Sequence, residues 1–597
     1  MANRDLSNVT QDFIFGTLAT DELRLAEIQS RTRGVWHGSR VSPADPRPGD
    51  TLELTVTIGS DIDVERVEVL LTWDGSLPDA GSEPVAMQRA GVRWDILSWS
   101  YLETWTVSIA TPPGDALLRY RIRATTPEGD YLWADADPET GEAGLFAIGI
   151  DTERTASWLP GAVIYHVFVD RFANDHGDPL PKQSSLNDIW GGTLKGVTAR
   201  LDHIKHLGAT AIWLSPIFPS PTHHGYDATD YQSIEPRLGT MDDFDELVEQ
   251  AHERGMKVIL DFVASHVSNE HPVFLNAKED PASPERKFFT FLRDGSYRTF
   301  FGVQTMPQVA VDHDPAADWL IDAAIFWLKR GVDGYRLDYA KGPSLSFWSR
   351  FRKALREVNP DVGLIGEIVE DADAMKSYIG RMDGTLDFLF LQQIRAFLGF
   401  GLIVADEFWR FLARHLEYFA DGPVLPTFLD NHDMNRFLWI VGGDVRRLKI
   451  AALLQMALPG PPIIYYGTEV GLSQWHDLEY EDGSRRMEES RTPMLWGKEQ
   501  DRDLLEFYRS LVFWRTRWGV HSMKPRLVHA GADGLLLFLV GSWLVVINAS
   551  SEEHNVDLGV RGSMWLALAT GNDVQLHGEL LRVPSMGGAI VAAESMM

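Results

Sequence analysis

The chain has 597 residues, with 55 Lys+Arg against 85 Asp+Glu, a net charge of −30, 20 Trp and no Cys. Apolar residues at 44% and charged residues at 23% exclude whole-chain disorder and collagen-like repeats, and the length allows roughly two to four domains with a large core. The acidic balance argues against nucleic acid or an anionic membrane as the main partner, and without Cys there is no disulfide, thiolate nucleophile or Cys-ligated zinc.

From the N-terminus, no apolar run of signal-peptide length precedes Asp12 and Asp21, and nothing later reaches the roughly 18 uncharged apolar residues of a membrane span. The expectation is a soluble, unexported, cytoplasmic protein, in which the Asn-x-Ser/Thr triplets at Asn8 and Asn548 are chance matches. Residues 1–34 read as an extension with weak helical character over 11–30. Residues 35–150 read as an antiparallel β-sandwich: 51–58 alternates polar and apolar, 105–109 and 118–123 do the same, and turns such as Pro46-Arg47-Pro48-Gly49 separate them.

From 158 to 520 the pattern changes to short apolar runs alternating with amphipathic stretches, as in the βα units of a parallel barrel. Eight runs are counted: 163–169, 211–216, 258–262, 334–337, 364–368, 386–390, 427–429 and 463–466. Eight strands with intervening helices predict a (β/α)8 barrel. The gap over 267–320 is too long for an ordinary loop and predicts an excursion domain after the third strand. Residues 521–597 read as a C-terminal β-domain.

Working residues of such barrels sit at the C-terminal strand ends. Those ends carry Asp261 with His266, Arg336 and Asp338, Glu367, and His432-Asp433. Singly, each reads as a helix cap or a surface salt bridge. Together, at equivalent positions on separate strands, they point to chemistry. Two carboxyls on neighbouring strands suit glycoside hydrolysis, in which one attacks ionised and the other donates a proton. Arg336 shares a strand face with Asp338 and is expected to lower its pKa. Glu367 is the better placed acid, and Asp433 would bind ring hydroxyls.

Four segments carry a resemblance: 261–266 (Asp-Phe-Val-Ala-Ser-His), 331–338 (Gly-Val-Asp-Gly-Tyr-Arg-Leu-Asp), 366–368 (Gly-Glu-Ile) and 428–433 (Phe-Leu-Asp-Asn-His-Asp). In this order they resemble the α-amylase family of retaining glycoside hydrolases, over roughly 158–500. The resemblance implies Asp338 as nucleophile, Glu367 as acid/base and Asp433 as transition-state stabiliser. It further implies Tyr226, Asp227, His266, Arg336, His432 and Arg491 as contacts to the sugar at the cleaved bond. Segments 190–197 and 215–221 are similar to the neopullulanase, cyclomaltodextrinase and maltogenic amylase group, whose N-terminal domain the sandwich would match. There are departures. Ser265 replaces an Asn, 306–310 half matches the excursion motif, and Lys341-Gly342 stands where that group tends to carry Asn-Glu. Lys341 resembles a leaving-side sugar contact of α-amylases.

The implied function is hydrolysis of α-1,4-glucosidic bonds, with α-1,6 bonds also open, in maltooligosaccharides, cyclodextrins or pullulan. The alternatives are an α-amylase for longer starch chains, a transglycosylase or isomerase of small α-glucosides, and a non-catalytic amylase-like binding subunit. No cofactor is implied. Asn174 and Asp178 resemble an oxygen-rich loop that binds structural Ca2+ in some members. The partner is an α-glucan oligosaccharide, with no nucleic acid and no membrane, and a homodimer through the N-terminal domain is suggested.

Overall fold

In the strand Thr51–Ile58, Leu52, Leu54 and Val56 are buried while Thr51 and Glu53 face solvent, which is the alternation a half-buried strand requires. The strand pairs antiparallel with Ser100–Ala110. A second sheet, containing Arg66–Thr72, Ala116–Thr125 and Phe146–Ile150, covers its apolar face. Val67, Val69, Leu118 and Ile122 meet Leu52, Leu54 and Val56 in one core. This computed structural model describes residues 21–78, 82–152, 155–558 and 564–593. The Asn8 triplet and the first part of the 1–34 extension lie outside them; in the rest of the extension, Asp21–Ser30 is a helix.

The central domain is a curled parallel sheet. Its strands pair in the spatial order Gly384–Thr385, Gly363–Gly366, Gly334–Asp338, Lys257–Val263, Ala211–Leu214, Ile164–Val167, Ile463–Tyr465. Bridges from Gly384 to Val424 and from Thr427 to Pro462 place segment 424–427 in the remaining gap, so the sheet closes as the (β/α)8 barrel expected. Both faces of its strands are buried. Tyr165, Val167, Ile212, Leu214, Leu260, Phe262 and Leu337 face the surrounding helices, and Ile164, Ala211, Trp213, Ile259 and Ile365 fill the barrel. Toward the C-terminal strand ends the inward row turns polar, with His166, Asp261, Arg336, Asp338 and Glu367 all buried.

Two expectations are corrected. The apolar run 386–390 is not the sixth strand, which is the pair Gly384–Thr385. Asp387 accepts a hydrogen bond from the Phe390 amide and starts the helix Phe388–Ile394, so the run belongs to a helix buried in the core. The excursion also ends earlier than 320, because the helix Asp314–Leu328, with Pro315 in its first turn, returns the chain to the barrel. Within the excursion, Phe274 of the helix Pro272–Glu279 packs on Phe289 and Tyr297, and a bridge from Gln308 to His266 ties it to the third strand's exit.

The sandwich docks on the helices that follow the third and fourth strands. Arg119, almost fully buried, holds both oxygens of Asp314 at 2.7 and 2.9 Å. The Ser349 hydroxyl donates to the Ala147 carbonyl at 2.9 Å, and Arg352 meets Asp151 at 2.6 Å. Arg298 of the excursion pairs with Asp137 and Glu139. At the other end, the sheet containing Leu535–Val540, Trp543–Asn548 and Gly587–Ala593 packs Trp543 on Trp514 and Trp518 of the last barrel helix, Arg502–Trp518. Among the described residues, no helix is long and apolar enough to cross a membrane.

Asp387 also lies 2.9 Å from buried His415. Burial acts to lower the His415 pKa, but Asp387 outweighs it and raises the pKa above the usual value of an imidazole. A raised folded-state His pKa contributes stability that is complete below the unfolded value and lost as pH rises through the folded one. Asp387→Ala should therefore cost about 2–3 kcal/mol in urea unfolding below about pH 6, and less in alkaline buffer. An equal loss at both pH values contradicts this account of the pair.

Candidate active site

Three strand exits converge on one guanidinium. Arg336, almost fully buried, donates through Nη1 to Asp261 Oδ1 at 2.7 Å and to Asp338 Oδ1 at 2.8 Å. Its Nη2 lies 2.6 Å from Glu367 Oε1. The other oxygen of Glu367 accepts the Tyr339 amide at 3.0 Å, and Asp261 Oδ2 accepts from Trp213 Nε1 and from the Tyr226 hydroxyl. Asp433 is held separately. Arg491 Nη2 donates to its Oδ1 at 2.9 Å, and His432 Nε2 stands 3.0 Å from its Oδ2. The two clusters meet at Tyr226, whose ring lies parallel to His432 at 5.4 Å and whose hydroxyl is 2.6 Å from His432 Nε2.

The electrostatics separate the acids. Burial acts to raise the Asp433 pKa, yet His432 and Arg491 outweigh it and hold the carboxyl below the usual range. For Asp338 the expectation of a lowered pKa is corrected. Burial, reinforced by repulsion from Glu367 and Asp261, pushes it well above the usual value despite Arg336. One guanidinium faces three carboxylates and cannot neutralise them all. Burial also keeps His266 neutral, with a pKa lowered to about 3, and its Nδ1 is 2.7 Å from the Ser265 hydroxyl.

The residues expected from sequence do not all converge. Asp338, Glu367, Asp433, Tyr226, Arg336, His432 and Arg491 are in direct contact with one another. His266 flanks them against Phe300. Asp227 does not join them: its Oδ1 accepts from Ser220 and Thr222 and braces the loop that carries Tyr226. Lys341 turns to Glu370, with Nζ and Oε1 2.6 Å apart. Asn174 and Asp178 lie apart from the acids, on a loop closed by its own hydrogen bonds. Asn174 Oδ1 accepts the amides of His176 and Asp178, Thr193 donates to Asp175, and among the described residues no three acidic or His side chains cluster for a metal.

Known proteins match this chain over most of its length. The alpha amylase catalytic-domain family model covers residues 166–504. The chain belongs to the alpha-amylase family. It is 35% identical to Alpha-amylase 2 of Dictyoglomus thermophilum over 84% of this chain and 86% of that protein. To Neopullulanase 2 of Thermoactinomyces vulgaris it is 34% identical, over 87% and 91% respectively. A Cyclomaltodextrinase of Geobacillus thermopakistaniensis is 30% identical over 95% of this chain and its own full length. The solved type III pullulan hydrolase from Thermococcus kodakarensis matches 94% of this chain and 100% of its own, with 27% identity and a TM-score of 0.65. The protein is thus a glycoside hydrolase of the alpha-amylase family, related to neopullulanases and cyclomaltodextrinases.

Within this alpha-amylase family member, the departures in sequence have local explanations. Ser265 keeps a polar contact to His266. Gly342 is required by close approach: a Cβ there would come within 2.8 Å of the Tyr339 ring. Tyr339 itself has a φ of +37°, a conformation rare outside glycine, and this turn aims its amide at Glu367. Sequence reasoning missed Trp213 and His166, which stack at 3.6 Å beneath Asp261. A Trp and a His inside apolar strand runs carry no signal that separates support of a site from core packing.

Because the folded-state pKa of Asp338 is raised, its stabilising contribution is complete below the unfolded value of about 3.9 and is lost as pH rises through the folded value. Asp338→Asn should therefore melt with wild type near pH 4 and roughly one to three degrees above it at pH 7. A variant less stable than wild type at pH 7 would show that the carboxylate is a net structural asset.

Proposed function

We propose that the enzyme hydrolyses α-1,4-glucosidic bonds, and α-1,6 bonds where they occur, in maltooligosaccharides, cyclodextrins or pullulan, with retention of configuration. The observation that carries this reading is the pairing of Asp338 and Glu367 on one guanidinium while Asp433 is held by a different one. Two carboxyls that reach the same Arg336 are close enough for the roughly 5–5.5 Å spacing of retaining enzymes. Burial favours the protonated form of Asp338, so the reaction runs from the form in which Asp338 has given up its proton and Glu367 holds one: Asp338 attacks the anomeric carbon as a carboxylate while Glu367 gives its proton to the departing oxygen, leaving a glycosyl ester on Asp338. Water then attacks that ester, Glu367 takes the water's proton, and Asp338 leaves. Asp433, kept ionised by His432 and Arg491, accepts hydrogen bonds from ring hydroxyls as the sugar distorts. Tyr226 offers its ring to the sugar face.

A relative named Intracellular maltogenic amylase in Bacillus subtilis, 31% identical over 68% of this chain, supports action inside the cell on imported oligosaccharides. The sandwich supports a dimer. At the tip of its edge hairpin Trp94 and Trp99 stand 47% and 72% exposed beside Ile96, Leu97 and Tyr101, an apolar patch of the sort that marks an interface. A second copy seated there would narrow the cleft and favour small or cyclic glucans.

The test is product analysis with cyclodextrin, pullulan and soluble starch in parallel, following the anomeric proton by NMR. The proposal predicts α-configured products and a higher kcat/KM on cyclodextrin than on starch. It also predicts that Asp338→Asn and Glu367→Gln lose about a thousand-fold or more in kcat. β-Configured product refutes the nucleophile, and maltose converted to another disaccharide without glucose release favours an isomerase. In solution mass measurements, Trp94→Ser/Trp99→Ser should shift a dimer toward monomer; a wild-type monomer that prefers starch defeats the dimer and the substrate preference together.

A further inference from the structure

The exits of the fourth and fifth strands are clamped together by more than the acids. The turn after Asp338 gives its Tyr339 amide to Glu367 Oε2 and its Ala340 amide to the Glu367 carbonyl. The Ala340 carbonyl in turn accepts from Trp348 Nε1 at 2.7 Å and from the Tyr378 hydroxyl at 3.2 Å. The outermost link is the ion pair of Lys341 with Glu370, three residues beyond Asp338 and Glu367 respectively. Its two halves differ in environment: the Glu370 side chain is 4% exposed, that of Lys341 38%. The carboxylate is therefore fixed in the wall, and the ammonium is the end that meets solvent or a ligand.

We propose that Glu370 is a positioning residue for substrate: it holds the Lys341 ammonium at the rim beside Glu367, where the leaving portion of a glucan chain departs. The proposal rests on the functional reading above. Arg336 and Arg491 are buried and already bonded to acids. Lys341 projects from the same turn as Asp338, and the group that draws it aside lies on the turn that carries Glu367. An ammonium held in one place binds a sugar hydroxyl without first losing its side-chain freedom, which a free lysine must do. Glu370 thereby favours substrates whose leaving portion is long enough to reach Lys341. A leaving group that is not a sugar gains nothing from it. Because the pair makes no bond to the reacting atoms, it should act on binding and leave the chemical step alone.

Glu370→Gln keeps the shape and removes the charge. In steady-state kinetics with maltotriose, maltopentaose, maltoheptaose and 4-nitrophenyl α-maltoside, the variant should raise KM for the longer oligosaccharides about five- to ten-fold, with kcat within about two-fold. The aryl maltoside should be turned over as by wild type. Lys341→Met, which deletes the contact itself, should raise the KM for the longer oligosaccharides at least as far, and adding Glu370→Gln to it should raise it no further, since Glu370 acts only through Lys341. An unchanged KM for maltoheptaose overturns the assignment. So does an equal effect on the aryl maltoside, which would place the role of Glu370 in the acids or in the fold. Wild-type protein inert on every α-glucan would overturn the functional reading itself and this inference with it; activity in the wild type with no change in Glu370→Gln overturns the inference alone.

Discussion

The constraint on which the rest of this structure depends is the burial of three carboxylates around one arginine. Asp261, Asp338 and Glu367 lie on adjacent strands, and the Arg336 guanidinium is within 2.8 Å of each. Charged groups removed from water need close partners, and one cation for three anions leaves the cluster under-compensated. Its neighbours absorb part of the deficit. Trp213 and Tyr226 donate to Asp261, and the Tyr339 amide donates to Glu367. What remains uncompensated appears in Asp338, which burial and like charge push toward the protonated form. The site is thus held in tension by a scaffold whose stability lies elsewhere, in the apolar layers inside and outside the barrel.

The surrounding architecture serves that tension. The strands supply a row of inward positions at fixed spacing, so residues that are far apart in the chain arrive in one plane. The sandwich and the excursion both attach on the side of the third and fourth strands, through Arg119, Arg352 and Arg298. The excursion reaches the neighbours of the acids, with Phe300 against His266, and the C-terminal domain packs on the last barrel helix through Trp543. The strained turn at Tyr339, packed against Phe300 and Phe301, is where the excursion touches the catalytic strand directly.

Much of this was legible in the sequence, for stated physical reasons. Period-two alternation marked the strands at 51–58, and strands buried on both faces marked the barrel as apolar runs. The polar residues that break those runs marked the mouth of the site. Legibility failed where local and tertiary signals diverge. Gly384–Thr385 is too short to leave a pattern, and the apolar residues after it are a buried helix started by Asp387. The direction of the Asp338 shift was misjudged because sequence placed Arg336 beside it but not the burial or the two further acids on the same guanidinium. Asp227, adjacent to Tyr226, points instead to Ser220 and Thr222. Sequence adjacency does not tell which neighbour a side chain meets.

The central claim is that Arg336 compensates buried negative charge. Its most direct test is the urea-unfolding free energy of Arg336→Met as a function of pH. The account predicts a loss of about 3–5 kcal/mol at pH 7, where the carboxylates are left unpaired. That loss should shrink as pH falls toward about 4 and protonation removes the charge that Arg336 had offset. A loss of the same size at pH 4 and pH 7 would mean that Arg336 contributes by packing alone, and would contradict the account.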